Sequence, residues 1–298
     1  MAAAMLAGCG GSQPPIGALG AMPQTSALAT SVGRGKSWMR PNPYDQDLLY
    51  VATDPEAVFV YGYPKAEPHG TLGYFESPGP ECSDKSGDVF VSTAQGLLEF
   101  AHDGASPIAT LNTRGACSAD PVKAKLAVCS GTAVSVFFHS AEHGWLLPRN
   151  YAAAFNVYNC GYDNKGNLFV DGVDKSNGFQ FAELAAKGKS FMAITLNQNI
   201  QGPGQIQWDG RNIAIEDSAA SPSVLYRFSI SGRTGQEVGS TVLTGATMVA
   251  QFWIHRKKVV GSDGYDMVGI WDYPDGGSPV DTISVSSPYG VTVSVAPH

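Results

Sequence analysis

Apolar, strand-forming runs recur along this chain at nearly even intervals. They are Leu48–Thr53, Asp88–Thr93, Lys125–Ser130, Asn167–Gly172, Arg211–Asp217 and Lys257–Asp263, and Val51, Val91, Val128, Val170, Ile215 and Gly261 mark a spacing of 40, 37, 42, 45 and 46 residues. The sharpest copy runs from Tyr158 to Gly172 and reads as strand, tight turn, strand. Its turn is Asp163-Asn-Lys-Gly-Asn167: the Asx side chains bond their own backbone, and Gly166 supplies a positive φ. Weaker copies are Cys82–Ser92, Cys117–Cys129 and, with a shorter Asp-Gly turn, Ile206–Asp217.

Each period holds about four strand-like runs; in the second unit they are Pro80–Asp84, Asp88–Thr93, Gly96–His102 and Ser106–Leu111. Repeats of this length with four strands apiece are the signature of β-propeller blades. The first unit, Leu48 to about Phe75, has three strands and lacks the innermost, whereas Tyr289–Val295 is an orphan strand after the sixth. Joining the two predicts an all-β, six-bladed propeller in which the C-terminal strand closes the first blade and leaves no long exposed edge. A second echo agrees: Val58–Pro64 followed by Thr71-Leu72 reappears as Val268–Pro274 followed by Thr282-Ile283.

Asp163-Asn-Lys-Gly-Asn-Leu-Phe-Val-Asp171 resembles the core of NHL-type blades, shared with the gluconolactonase-like (SMP-30) propellers, and the run from Leu48 to Pro297 is similar to secreted bacterial six-bladed propellers. The third unit departs from the pattern, with Val122-Lys-Ala-Lys125 in place of the Gly-Asn turn. The resemblance implies the fold and leaves function open.

The amino terminus reads differently. Leu6-Ala7-Gly8-Cys9 resembles a bacterial lipobox, in which Cys9 is lipidated and becomes the mature N-terminus, although no Lys or Arg precedes it and the apolar part is short for a signal peptide. Residues 1–9 are therefore expected to be the remnant of a signal peptide, 10–37 a disordered Pro/Gly/Ser-rich tether reaching roughly 25–30 Å, and 38–298 the propeller. Trp38-Met39-Arg40-Pro41 is expected to pack on the folded body. The implied setting is the bacterial cell envelope, with the chain lipid-anchored or secreted and monomeric.

Composition suits short strands and tight turns: 35 Gly and 19 Pro, with only 15% charged residues. The net charge of −7 with scattered cations argues against nucleic-acid partners, which require clustered Lys and Arg.

Candidate chemistry is sparse. Cys82, Cys117 and Cys160 fall at one place in the first strands of successive units and are expected to pack as small apolar residues; Cys117 and Cys129 flank one hairpin, and a disulfide between them is the pairing to test, although four cysteines allow three pairings. His139-Ser-Ala-Glu142-His143 matches a zinc-peptidase pattern but follows a strand, so it reads as a solvated turn. Asp171-Gly-Val-Asp174-Lys-Ser-Asn177 gathers hard oxygens without EF-hand spacing and reads as a structural turn. The gluconolactonase-like resemblance implies a metal at the central tunnel. The matching inner-strand positions are Glu81, Asn159, Gln205, Gln207 and Gln251, with one carboxylate among them, so they read as the lining of a tunnel that takes a small ligand. No metal and no cofactor is expected. Two readings follow: an exported binding or interaction module whose partner is a small molecule or an envelope protein, and a metal-dependent hydrolase or lactonase.

Overall fold

The computed structural model of the chain describes residues 37–40, 45–53, 57–73 and 75–297; Cys9 and nearly all of the expected tether lie outside them. Among the described residues every regular element is a β-strand. β1 (Trp38–Met39), β2 (Leu48–Thr53), β3 (Ala57–Gly62) and β4 (Glu67–Leu72) open the fold, and β5 (Glu81–Ser83), β6 (Val89–Thr93), β7 (Gly96–Phe100) and β8 (Pro107–Leu111) form an antiparallel meander. β9 (Ala116–Ala119), β10 (Lys125–Ser140), β11 (Gly144–Trp145), β12 (Arg149–Tyr162), β13 (Leu168–Val173), β14 (Phe179–Leu184) and β15 (Met192–Ala193) share one seven-stranded sheet. β16 (Thr195–Leu196), β17 (Ile206–Trp208), β18 (Ile213–Asp217), β19 (Ser223–Ser231) and β20 (Thr234–Leu243) make the next sheet, and β21 (Gln251–His255), β22 (Lys258–Asp263), β23 (Met267–Asp272) and β24 (Asp281–Ser284) a second meander. β25 (Pro288–Ser294) returns to the beginning and pairs antiparallel with β2, from Ser294 opposite Leu48 to Pro288 opposite Thr53.

The fold is thus all-β, built of five hydrogen-bonded sheets where the repeat predicts six separate units. The third and fourth units have merged. Lys125–Ser130 and Val134–Phe138, which the sequence separates, run as one strand with a register shift between Gly131 and Ala133. The first part of β10 pairs with β9, its second part with the start of β12, and the end of β12 with β13. β12 therefore leaves one repeat and enters the next unbroken. Trp38 and Met39 pair with β4, and Met39 packs on the core.

The inner strands, β2, β6, β13, β18 and β22 among them, bury both faces, which is why they read as continuous apolar runs, whereas outer strands such as β20 alternate. On β2, Leu48, Tyr50 and Ala52 pack against Val89, Val91 and Phe100 of the next unit, while Leu49 and Val51 pack against Val260, Val268 and Ile270 of the last. Phe90 meets Leu126 and Val128; Val134 and Val136 meet Leu168 and Val170. Phe169 and Phe181 meet Ile213 and Ile215; Ala214 and Leu225 meet Phe252 and Trp271. These six apolar layers follow the chain in order and come back to its start.

Cysteine pairing corrects the expected Cys117–Cys129 bond. Cys117 stands opposite Val128 and Cys129 opposite Ala116, so the two thiols point to opposite faces of one hairpin. Cys117 bonds Cys82 on one neighbouring unit, with Cα atoms 5.7 Å apart, and Cys129 bonds Cys160 on the other, at 6.4 Å. These four cysteines are buried, as expected of small apolar residues, but as two staples across successive layers. Replacing Cys82 and Cys117 by Ser is expected to cost about 2–4 kcal/mol, the usual range for a disulfide. Denaturant unfolding with and without reductant checks it: the wild type should drop on reduction, and the Cys82→Ser/Cys117→Ser variant should drop less.

Candidate functional site: a pocket at the strand ends

The recurring turns share one mechanism. Asp84 Oδ1 accepts from the backbone N–H of Ser86 and Asp88, Asp163 Oδ1 from Lys165 and Asn167, and Asp209 Oδ1 from Arg211 and Asn212. In the third unit Asp120 does the same for Val122 and Lys123, although the Gly-Asn signature is gone. Gly166 takes φ +79°, which is why the sharpest copy has glycine there. Each Asp sits just after the first strand of its unit, so these turns bring the ends of the first strands to one level.

Those strand ends line a pocket of about 250 Å³. β25, β5, β9, β12, β17 and β21 all contribute, through Val293, Ser83, Ser118, Tyr162, Trp208 and Trp253 among others. The strands are stitched to one another beneath it. Ser83 Oγ donates to Val293 O, Tyr162 N–H to Ser118 Oγ, and the Gln207 amide forms a two-way bridge with the backbone of Ile254. Gly161 lies so close to β17 that a Cβ there would stand 2.6 Å from the Ile206 carbonyl, which leaves room only for glycine.

Of the five polar residues expected to line a tunnel, Gln205 and Gln207 line the pocket, and the amide of Gln207 is already spent on Ile254. The other three are placed differently. Gln251 is buried: its Oε1 accepts from Glu81 N and Val291 N, and its Nε2 donates to Glu81 O at 2.6 Å. Asn159 donates to Asp171 Oδ1 at 3.1 Å. Glu81 faces no water; it is fully buried, its two oxygens have no hydrogen-bond partner, and burial holds its carboxyl well above the usual range. The reason is parity. Glu81 stands opposite Val91, so its side chain points into the layer between the first and second units rather than into the pocket.

The aromatic part of the lining escaped the sequence reading. Tyr162, Trp208 and Trp253 all line the pocket. Trp145 and Trp271 spend their indole N–H on Glu99 and the Thr244 carbonyl, whereas those of Trp208 and Trp253 have no protein acceptor among the described residues. His255 joins them, its Nε2 3.1 Å from Asp47 Oδ2 and its ring edge-on to Tyr63. A usable signal was present: Tyr162 and Trp208 directly precede a turn Asp, and His255 ends the matching strand.

The remaining motifs fall elsewhere. His139 is next to last in β10, with its ring against Trp145, and His143 and Glu142 lie on the exposed turn that follows. Asp171 is buried in β13, accepting from Asn159 and from Gly204 N–H, and Asp174 caps its own turn through Ser176 and Gly178. Their oxygens do not converge. Among the described residues no three His, Cys, Asp or Glu side chains are grouped as ligands to one metal.

No protein-family profile matches the chain, and no curated protein matches it in sequence. Solved structures do match in shape. A protein of unknown function from Bacteroides caccae superposes with a TM-score of 0.61 at 12% identity, over 84% of this chain and 99% of its own. A protein from Lactobacillus plantarum gives 0.55 at 11% identity, over 83% and 99%. The dihydro-heme d1 dehydrogenase NirN gives 0.47 at 14% identity, over 85% of this chain and 56% of its own. At such identities the first two likenesses bear on the fold alone.

Proposed function

We propose that this chain is a six-bladed β-propeller, exported and held at the cell envelope by a lipid on Cys9, that binds a small uncharged polar molecule in its axial pocket. One observation bears most of the weight: six first strands, one from each repeat, end around a single pocket walled by aromatic rings and the amide of Gln205. The cycle of six apolar layers supports the ring, and the two disulfides fit an oxidising compartment. At about 250 Å³ the pocket is smaller than the ~300–1,000 Å³ of drug-sized sites, which points to a ligand of monosaccharide size. Tyr162, Trp208 and Trp253 offer flat faces, and Gln205 and His255 offer directional hydrogen bonds.

The rival reading, a metal-dependent lactonase, needs charged ligands around an open metal position. Here the amides of Gln207 and Gln251 are engaged in holding strands together, and the one inner carboxylate is buried away from the axis. Intrinsic tryptophan fluorescence titrated with a panel of monosaccharides and related polyols tests the proposal. A saturable response is expected, weakened about tenfold or more by Trp253→Ala or Gln205→Ala, a loss of about 1.4 kcal/mol or more. Metal-dependent lactone turnover that EDTA abolishes, with no response to the panel, would put the hydrolase first.

A further inference from the structure

A second pocket, between the third and fourth units, has a different chemistry. It measures about 220 Å³, and its floor is apolar: Val136 and Phe138 from β10, Tyr151 from β12, Leu168 from β13 and Leu184 from β14. Its rim is cationic. Lys123 comes from the turn before β10, Lys125 from the first position of β10, Arg149 from the start of β12, and Lys187 and Lys189 from the turn after β14. Five of the chain's 19 cations meet here on a protein of net charge −7, and no Asp or Glu lines the pocket.

The local carboxylates neutralise one cation of this rim. Asp120 is paired with Lys125 at 2.7 Å, its own side chain fully buried. Lys123, Arg149, Lys187 and Lys189 have no carboxylate within 4.0 Å among the described residues. Bringing like charges together raises the energy of the empty site, and an anion relieves it. Arg149 is also held in place: its guanidinium lies over the Phe138 ring, 5.7 Å from the centroid, which orients a planar fork of donors at the pocket. Such a fork suits the paired oxygens of a carboxylate or phosphate.

We infer that this pocket binds an organic anion, with a phosphate or carboxylate at the Lys/Arg rim and an apolar body on the Phe138–Tyr151–Leu184 floor. Such a group is supplied by a small free molecule or by an anionic lipid. The site is independent of the axial one, although Tyr162 borders both.

The test uses the full chain and two probes, 4-nitrophenyl phosphate in calorimetric titration and vesicles of phosphatidylglycerol against phosphatidylcholine in co-sedimentation. Binding of the aryl phosphate at low ionic strength is expected, falling at least tenfold in 0.5 M salt. Arg149→Ala and the turn variant Lys187→Glu/Lys189→Glu should each weaken it at least tenfold. Arg149→Lys, which keeps the charge and loses the fork, should fall between, and Trp253→Ala should leave it unchanged. Selective capture by phosphatidylglycerol vesicles alone, lost in the same variants, supports the inference with a lipid as the source. If neither probe binds, or if binding survives in both the Arg149→Ala and the Lys187→Glu/Lys189→Glu proteins with their melting temperatures unchanged, the inference fails.

Discussion

A chain that stops at Ser287 is expected to lose cooperative folding under conditions where the intact chain is stable. The missing strand, β25, supplies the whole ladder with β2 and two fully buried side chains, Val291 and Val293, in the layer between the first and last units. With the residues after it, it also ties two further strands and the segment before β2. Val291 N–H donates to Gln251 Oε1, the Val293 carbonyl accepts from Ser83, and Ala296 N–H donates to Asp47. Burial of the two valines is worth about 1.5–3 kcal/mol each, and the polar partners left buried add about 1–3 kcal/mol apiece. That total rivals the ~5–15 kcal/mol by which a domain is stable. A milder probe keeps the question answerable: Val293→Ala should remove about 2 kcal/mol. Both are read by denaturant unfolding followed in near-UV circular dichroism. A truncated chain that melts at the temperature of the intact one would show that β25 does not close the fold.

Glu81→Gln and Glu216→Gln are expected to stabilise the protein at neutral and alkaline pH and to leave it nearly unchanged at pH 4. Both carboxyls are fully buried with neither oxygen hydrogen-bonded, and burial raises both above the usual range, with Asp171 adding to the effect at Glu216. An unfolded Glu titrates near ~4.3. Between that value and the raised folded one, the folded chain keeps a proton that the unfolded chain has lost. The stability from each group is complete below the unfolded pKa and declines as pH rises, by about 1.4 kcal/mol per pH unit, until the folded pKa is passed. Glutamine has the same shape and no proton to lose, so the double variant should show a flatter profile. Melting curves from pH 4 to 9 measure this; parallel profiles for wild type and variant would mean that the two carboxylates are solvated or paired in the folded state.

The interval between repeats, the turn aspartates and the orphan strand were all legible in the chain. Each rests on short-range chemistry: an Asp that bonds N–H groups two to four residues ahead, a glycine at positive φ, an apolar run of strand length. Such patterns do not depend on what lies across the fold. Leu48–Thr53 and Tyr289–Val295 could be matched because a missing strand and a spare one are both visible locally. The direction of a side chain out of a strand is another matter. A one-residue difference in register turns a side chain from one face to the other, and register is set by the partner strand, far away in sequence. This is why Glu81 sits in a dry layer rather than in the pocket, and why Gln251 is consumed by Glu81 and Val291. It is also why Cys117 reaches Cys82 and Cys129 reaches Cys160 instead of each other. The cationic rim has the same origin: Lys123, Arg149 and Lys187 are scattered along the chain and become neighbours only because β12 runs on from the third unit into the fourth. Local sequence determined which strands exist and where they turn; packing between sheets decided which side chains face one another, because that depends on partners 31 to 210 residues away.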